Sequence, residues 1–295
     1  MIENMDPLTL GAIVGIFTVM ILFSGIPIAF GLCVISLIFL VAAEGFQIIG
    51  VYAETFYAGI NSFVLLSIPM FILMGMAVAH SPAGKDLYTG LDRWLWRLPG
   101  GLVISNIGAC AVFAALSGSS PATCAAIGTM GIPEMRARGY SARLATGCIA
   151  AGGTLGVLIP PSIVLIVYGL ATGTSIGRLF LAGIIPGLLL AFLFMFWAYI
   201  YAYFIDKDSA ARLKERTPPT LKEKLEVLPR VLPFLAIVAG VLYVLYGGVA
   251  TPSEASGVGA FLVFVMIAVV YKIYQPNKIW DLSLIHISEP TRLRS

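Results

Sequence analysis

The apolar positions of this chain fall in long runs rather than short alternations. Residues 8–23, 26–43 and 179–204 are almost free of charge. A helix needs about 20 apolar residues to cross a hydrocarbon layer about 30 Å thick, since each residue advances it about 1.5 Å. The runs predict a first span over 8–23, a turn at Ser24-Gly25-Ile26-Pro27 and a return span ending near Ala43. They also predict a span over 63–80 kinked at Pro69, and another over 179–204. The stretch 44–62 is read as a loop. Residues 81–99 are too polar to cross. Leu87, Leu91, Trp94 and Leu98 share one helical face there, while Lys85, Asp86, Arg93 and Arg97 largely avoid it. That pattern predicts a helix lying in the membrane interface, with a solvated loop as the alternative.

Two later segments interrupt their own helical pattern. Residues 101–116 and 123–131 are apolar, yet Arg97 precedes the pair and Arg136 and Arg138 follow it. Both outer ends are therefore expected on the same side of the membrane. The second arm, about 14 Å of helix, is also too short to span. A re-entrant helical hairpin over 100–131 satisfies both facts, with its tip at Ser117-Gly118-Ser119-Ser120-Pro121. Peptide groups in a turn at that depth need protein or a watery cavity around them, which places the tip near a site. The second interruption lies within 144–175. Gly147, Gly152, Gly153 and Gly156 permit close helix packing as far as Leu158. Ile159-Pro160-Pro161-Ser162 then breaks the helix, and 163–171 resumes it. Two adjacent prolines remove two backbone donors and free the carbonyls of Gly156, Val157 and Leu158.

The chemistry of these breaks favours ions. Hydroxyls and free carbonyls are hard oxygen ligands suited to a small cation, and a helix C-terminus adds partial negative charge. Ser120 as N-cap with Pro121 behind it, and Ser162 as N-cap of 163–171, open two helices whose N-termini would welcome a carboxylate. Broken helices that aim opposite ends at a midplane site are a device of secondary transporters. The competing reading is a membrane scaffold or partner-binding protein in which Gly, Ser and Pro serve packing alone.

Composition and charge sharpen the class. The chain is 59% apolar and 11% charged, against about 25% charged in a soluble domain. Its net charge of +3 is no nucleic-acid footprint. Leaving aside Arg292 and Arg294, every basic residue but Arg178 lies in 85–97, 136–143, 207–230 or at Lys272 and Lys278. Glu3, Asp6, Glu44 and Glu54 mark the opposite loops. Basic loops stay inside, so the N-terminus is expected outside and the basic loops in the cytoplasm. No cleavable leader is expected, because acids stand where a leader carries positive charge. Cys33, Cys110, Cys124 and Cys148 sit in apolar segments without a C-x-x-C pair and read as buried thiols. Nothing near Ser117 could activate a nucleophile, and Glu254, after Thr251-Pro252-Ser253, reads as a first-turn acid at a helix start. No enzyme, and no cofactor, is expected.

Several segments together resemble a known family. They are Leu66-Ser67-Ile68-Pro69-Met70-Phe71-Ile72-Leu73-Met74-Gly75, Ser117 to Thr123, Gly153 to Ser162, and Thr251-Pro252-Ser253-Glu254-Ala255. In that order they are similar to the large membrane (permease) subunit of TRAP, tripartite ATP-independent periplasmic, transporters, from about residue 5 to 275. The resemblance implies an all-α integral membrane protein of the bacterial inner membrane, an elevator-type importer built from inverted repeats. It implies sodium as coupling ion, an organic acid substrate, a small membrane subunit and a periplasmic substrate-binding protein as partners. Carried over residue by residue, the sodium ligands would come from Ser117, Ser119, Gly156, Ile159 and Pro161. Gly118, Ser120, Thr123 and Ser162 would then face the substrate. The helix over 81–99 would be the arm between scaffold and moving domain.

The expected organisation follows. Residues 1–204 form a first repeat: scaffold spans within 8–80, arm helix 81–99, hairpin 100–131, broken helix 144–175 and span 179–204. A cytoplasmic linker covers 205–230, and 231–280 begin a second repeat that stays incomplete. The turn at Pro27 is loosely echoed at Pro252, at opposite ends of their spans. Residues 281–295, including His286, resemble translated adaptor DNA and are expected to be non-native. Without a second hairpin and a second Pro-Pro break, the 295-residue chain is expected not to transport alone.

Overall fold

The computed structural model describes residues 6–79, 81–96, 98, 100–205 and 219–272. Helices are its regular elements. The chain divides into two compact units, Met1–Ser62 and Phe63–Ser295. His80, Arg97, the linker over 206–218 and the tail 281–295 lie outside the described residues.

In the first unit α1 (Pro7–Phe23) and α2 (Ile28–Glu44) form a helical hairpin turning at Gly25. Phe17 meets Phe39 edge-on at 6.0 Å, and the missing side chain of Gly31 admits Ile21. The expected loop over 44–62 is instead largely a helix, α3 (Ile48–Ile60). Charge at Glu44 and Glu54 had masked its helix-forming run. Tyr52 ties it to α2 by donating to the Cys33 carbonyl at 3.1 Å.

The second unit opens with a 3₁₀ turn, Phe63–Leu66, and α4 (Ser67–Ala79). Pro69 therefore sits in the first helical turn and kinks nothing, since amides there have no partner inside the helix to lose. Next come α5 (Pro82–Leu95), α6 (Gly101–Ser117), α7 (Ser120–Ala137), α8 (Ala142–Leu158) and α9 (Ile163–Thr172). Then follow α10 (Ile176–Ile200), whose last turn opens into a π-helix over Tyr201–Ile205, α11 (Leu221–Tyr246) and α12 (Pro252–Tyr271).

The core is built around α6. It packs against α4, α5, α7, α8 and α10, and Leu102, Ile107, Phe113 and Leu116 are all buried. With few polar side chains it has little use for a solvent face, and only Gly108, Ala111, Val112 and Ala115 along one side remain half-buried. Small residues set the closest approaches. A β-carbon at Gly152 would lie 2.8 Å from the Cys110 sulfur, and one at Gly153 would lie 2.0 Å from that of Cys124. The buried thiols of Cys110 and Cys148 are thus packing groups at the α6, α7 and α8 crossings.

Among the described residues three helical stretches are long and apolar enough to cross a membrane, Ala142–Thr172, Ile176–Phe204 and Pro252–Tyr271, or up to five if each of two bent helix pairs is one span. The stretch Ile176–Phe204 buries only 22% of its apolar window within the chain, leaving Ile185, Leu188, Phe192 and Trp197 uncovered. Such surface needs lipid or another protein over it. All regular structure among the described residues is helical, with the long apolar helices that integral membrane proteins use.

One expected boundary moves. The linker ends early, because Thr220 and Glu223 make a reciprocal cap that starts α11 at Leu221. The apolar stripe of the arm helix is divided between the protein and its outside. Leu87 and Tyr88 are buried and Leu91 is half-buried, but Trp94 is 53% exposed and Leu98 is also exposed. Periodicity gave the stripe correctly at its N-terminal end. Contact with α6 and α11 selects which part of it is covered.

Candidate functional site

Both interruptions form, and they meet. The chain leaves α6 through Gly118, in the left-handed region at φ +59°, and re-enters a helix at Ser120. The two helices therefore form a hairpin, but its second arm is longer than expected. Helix α7 runs 18 residues through Pro133 to Ala137, about 27 Å, so shortness is no argument for a re-entrant path. The N-cap also shifts by one. Ser119 adopts the extended cap conformation and its hydroxyl accepts from the Ala122 amide at 3.5 Å. Ser120, expected as the cap, is the first helical residue. Two serines in succession are equally able caps, and the backbone at Gly118 decides between them.

The Pro-Pro break is seen as expected. Helix α8 stops at Leu158, Ile159 is its C-cap, and the Pro160–Pro161 peptide bond is cis. Ser162 is the N-cap of α9, yet its hydroxyl does not cap. It donates back across the break to the Val157 carbonyl at 2.5 Å, satisfying one of the oxygens that the prolines freed. The Ile163 amide instead donates to the Gly118 carbonyl at 3.1 Å. This bond docks the hairpin tip directly on the broken helix.

Glycines make the docking possible. At Gly118 a β-carbon would lie 2.5 Å from the Pro161 carbonyl oxygen. At Gly156 it would lie 2.8 Å from the Ser119 carbonyl carbon and the Ser120 nitrogen. All nine candidate residues thus belong to one structure: Ser117, Gly118, Ser119, Ser120 and Thr123 on the hairpin, Gly156, Ile159, Pro161 and Ser162 on the break.

Its polar heart is a triangle of oxygens. The Ser117 and Thr123 hydroxyls are 3.1 Å apart, Thr123 donates to the Ser119 carbonyl at 2.8 Å, and Ser117 lies 3.4 Å from that same carbonyl. Ser117, Thr123 and Ser162 are fully buried. The Ser120 hydroxyl oxygen is buried as well and finds no hydrogen-bond partner among the described residues. Buried polar atoms are ordinarily satisfied, so an orphan oxygen beside freed carbonyls is a donor to spare for a ligand. No group of three or more His, Cys, Asp or Glu that could hold a metal is found among the described residues. Neutral oxygens alone suit a hard monovalent cation better than a transition metal.

Several supporting residues were not expected. Gly75 of α4 lies so close to Ser117 that a β-carbon there would sit 2.4 Å from the serine's own. Gly183 and Gly187 of α10 back the break, against the Leu158 carbonyl and Ile159. Their spacing, Gly183-Ile184-Ile185-Pro186-Gly187, is the small-x-x-x-small signal of close helix approach and was legible. Asn106 in α6 is fully buried, donates to the Leu102 carbonyl at 2.9 Å and fills the space beside Gly131. At the far end of the hairpin Arg138 pairs with Glu134 and lies 3.8 Å from Asp92 of α5. Burial, then the Asp92 and Glu134 carboxylates, pushes the neighbouring Tyr88 phenol up and keeps it neutral.

The sequence is similar to those of known proteins. The family described as Tripartite ATP-independent periplasmic transporter, DctM component, matches residues 14–285. An isethionate TRAP transporter permease protein of Oleidesulfovibrio alaskensis is 38% identical over 88% of this chain and 39% of its own length. C4-dicarboxylate TRAP transporter large permease proteins are 36% identical in Vibrio cholerae and 40% identical in Pseudomonas aeruginosa. The first match covers 88% of this chain and 56% of the relative, the second 67% and 45%. The chain thus spans roughly half the length of these relatives. It belongs to the DctM component family of TRAP transporters.

Proposed function

We propose that this chain is part of the large membrane subunit of a sodium-coupled importer of small organic acids, working with a small membrane subunit and a periplasmic binding protein. The observation that carries this reading is the docking of the hairpin tip on the Pro-Pro break. It gathers the Ser117, Ser119 and Thr123 oxygens beside the carbonyls of an interrupted helix. Sodium is the cargo such neutral oxygens would hold, through Ser117 and Ser119 on the tip and the carbonyls of Gly156, Ile159 and Pro161. The organic acid would lie on the side of Gly118, Ser120, Thr123 and Ser162. There the first turns of α7 and α9 offer positive dipole ends, and bound sodium adds its own charge. Relatives are named for C4-dicarboxylates and for isethionate, all small organic anions; a carboxylate is the proposed substrate here.

The charge pattern supports a re-entrant hairpin whose basic end, at Arg136 and Arg138, faces the cytoplasm, with the N-terminus periplasmic. Helix pairs α1–α2 and α11–α12, turning at Gly25 and Gly248, fit the inverted halves of an elevator fold. The arm is then α5. Proteoliposomes holding the complete permease, its small subunit and loaded binding protein test the coupling. An inward sodium gradient drives uptake under this reading. Equal uptake on a proton gradient without sodium would sink it.

A further inference from the structure

Two amphipathic segments distant in sequence meet at the α5–α11 junction. Helix α11 bends by 47° between Leu221–Pro229 and Val231–Tyr246, as Pro229 and Pro233 inside it would cause. Its first segment lies against α5. Arg93 donates to the Glu223 carbonyl at 2.7 Å, and Gly90 admits Val227 and Val231. The outer side of this junction is both greasy and basic. Leu221, Leu225 and Trp94 are exposed beside Arg93, Lys222 and Lys224. The Lys224 ammonium stands 5.9 Å from the rings of both Trp94 and Trp96, converging aromatic and cationic groups on one spot. Of the two acids on the segment, Glu223 is committed to the helix cap, bonding the Thr220 amide at 2.7 Å, and Glu226 is exposed.

We infer that this junction holds the phosphate headgroup of an anionic phospholipid, Arg93 and Lys224 meeting the phosphate and Lys222 flanking the apolar face from its other side, while Trp94, Leu221 and Leu225 sit among the acyl chains. Apolar side chains beside cations on helical segments too polar to cross by themselves are what an interfacial segment needs, and an anionic lipid uses both features. The inference rests on the membrane placement proposed above but not on sodium coupling. The headgroup would tie the start of α11 to the arm at the bilayer surface.

The test is lipid retention by the 295-residue chain in detergent, read by native mass spectrometry. Phosphatidylglycerol, phosphatidylcholine of the same chain length and inorganic phosphate are offered in turn. Phosphatidylglycerol is expected to be retained about fivefold better for each cation that engages it, and phosphate alone is not retained. The Lys222→Gln/Lys224→Gln double variant loses most of the preference, and Lys224→Arg keeps it. Equal retention of the two lipids by the unaltered chain, or an unchanged preference in the double variant, overturns the site. Retention of phosphate alone overturns the lipid assignment in favour of a plain anion site. A chain that takes up neither lipid and stays in water without detergent defeats the membrane reading instead.

Discussion

At the scale of single residues, two glycines decide whether the site exists. Gly118 needs its missing side chain twice, once for a positive φ and once for the Pro161 oxygen 2.5 Å from where a β-carbon would stand. Gly118→Ala should therefore cost at least the roughly 1–2 kcal/mol of a left-handed residue, plus the loss of the Ile163 amide bond. A lowered thermal midpoint in detergent reads this out. Gly147, with nothing within 4 Å of its β-position, is the control: Gly147→Ala should be neutral or gain about 0.5–1 kcal/mol. Thr123→Val keeps the shape but removes the hydroxyl bonded to the Ser119 carbonyl. About 1–3 kcal/mol of stability should go with it, along with any stabilisation by sodium. These positions were legible because Gly, Ser and Pro in tight succession leave few backbone solutions. The choice of Ser119 over Ser120 as cap, and the Ser162 hydroxyl turning back to Val157, were not. Both depend on which carbonyl lies nearby once two distant segments have docked.

At the scale of elements, long apolar runs announced α1, α2 and α10, and the Pro-Pro break announced itself. What misled was reading charge as loop. Glu54 lies in α3, and Lys222, Glu223 and Lys224 lie in the first turn of α11, where a Thr220–Glu223 cap makes charge helpful. The same cap at Thr251 and Glu254, with the Glu254 carboxylate 2.8 Å from the Thr251 amide, was foreseeable and opens α12. The break itself is testable. Pro160→Ala/Pro161→Ala restores two backbone donors, so α8 and α9 should tend toward one continuous helix and the docking of Gly118 should weaken. Helical content by circular dichroism is expected to rise slightly while any sodium response disappears. The Asp92–Arg138 contact, which links α5 to the base of the hairpin at 3.8 Å, is part-exposed and should be weak. A double-mutant cycle with Asp92→Asn and Arg138→Gln is expected to give a coupling below about 1 kcal/mol.

At the scale of the molecule, one principle links fold to function. A backbone stripped of its helical hydrogen bonds inside apolar surroundings must find other partners, and here it finds them in a second broken segment. Helix α6, buried along most of its length, holds one break, and α10 with its paired glycines backs the other. The result is a compact group of oxygens with one hydroxyl, that of Ser120, left over. The central claim is that these oxygens bind sodium. The direct measurement is the thermal midpoint of the purified chain, titrated with sodium chloride against potassium chloride at equal ionic strength. Binding at a hundredfold over the dissociation constant stabilises a protein by about 2.7 kcal/mol. Sodium should therefore raise the midpoint by several degrees over potassium, and Ser119→Ala should abolish the difference. Identical midpoints in the two salts across the titration would contradict the account.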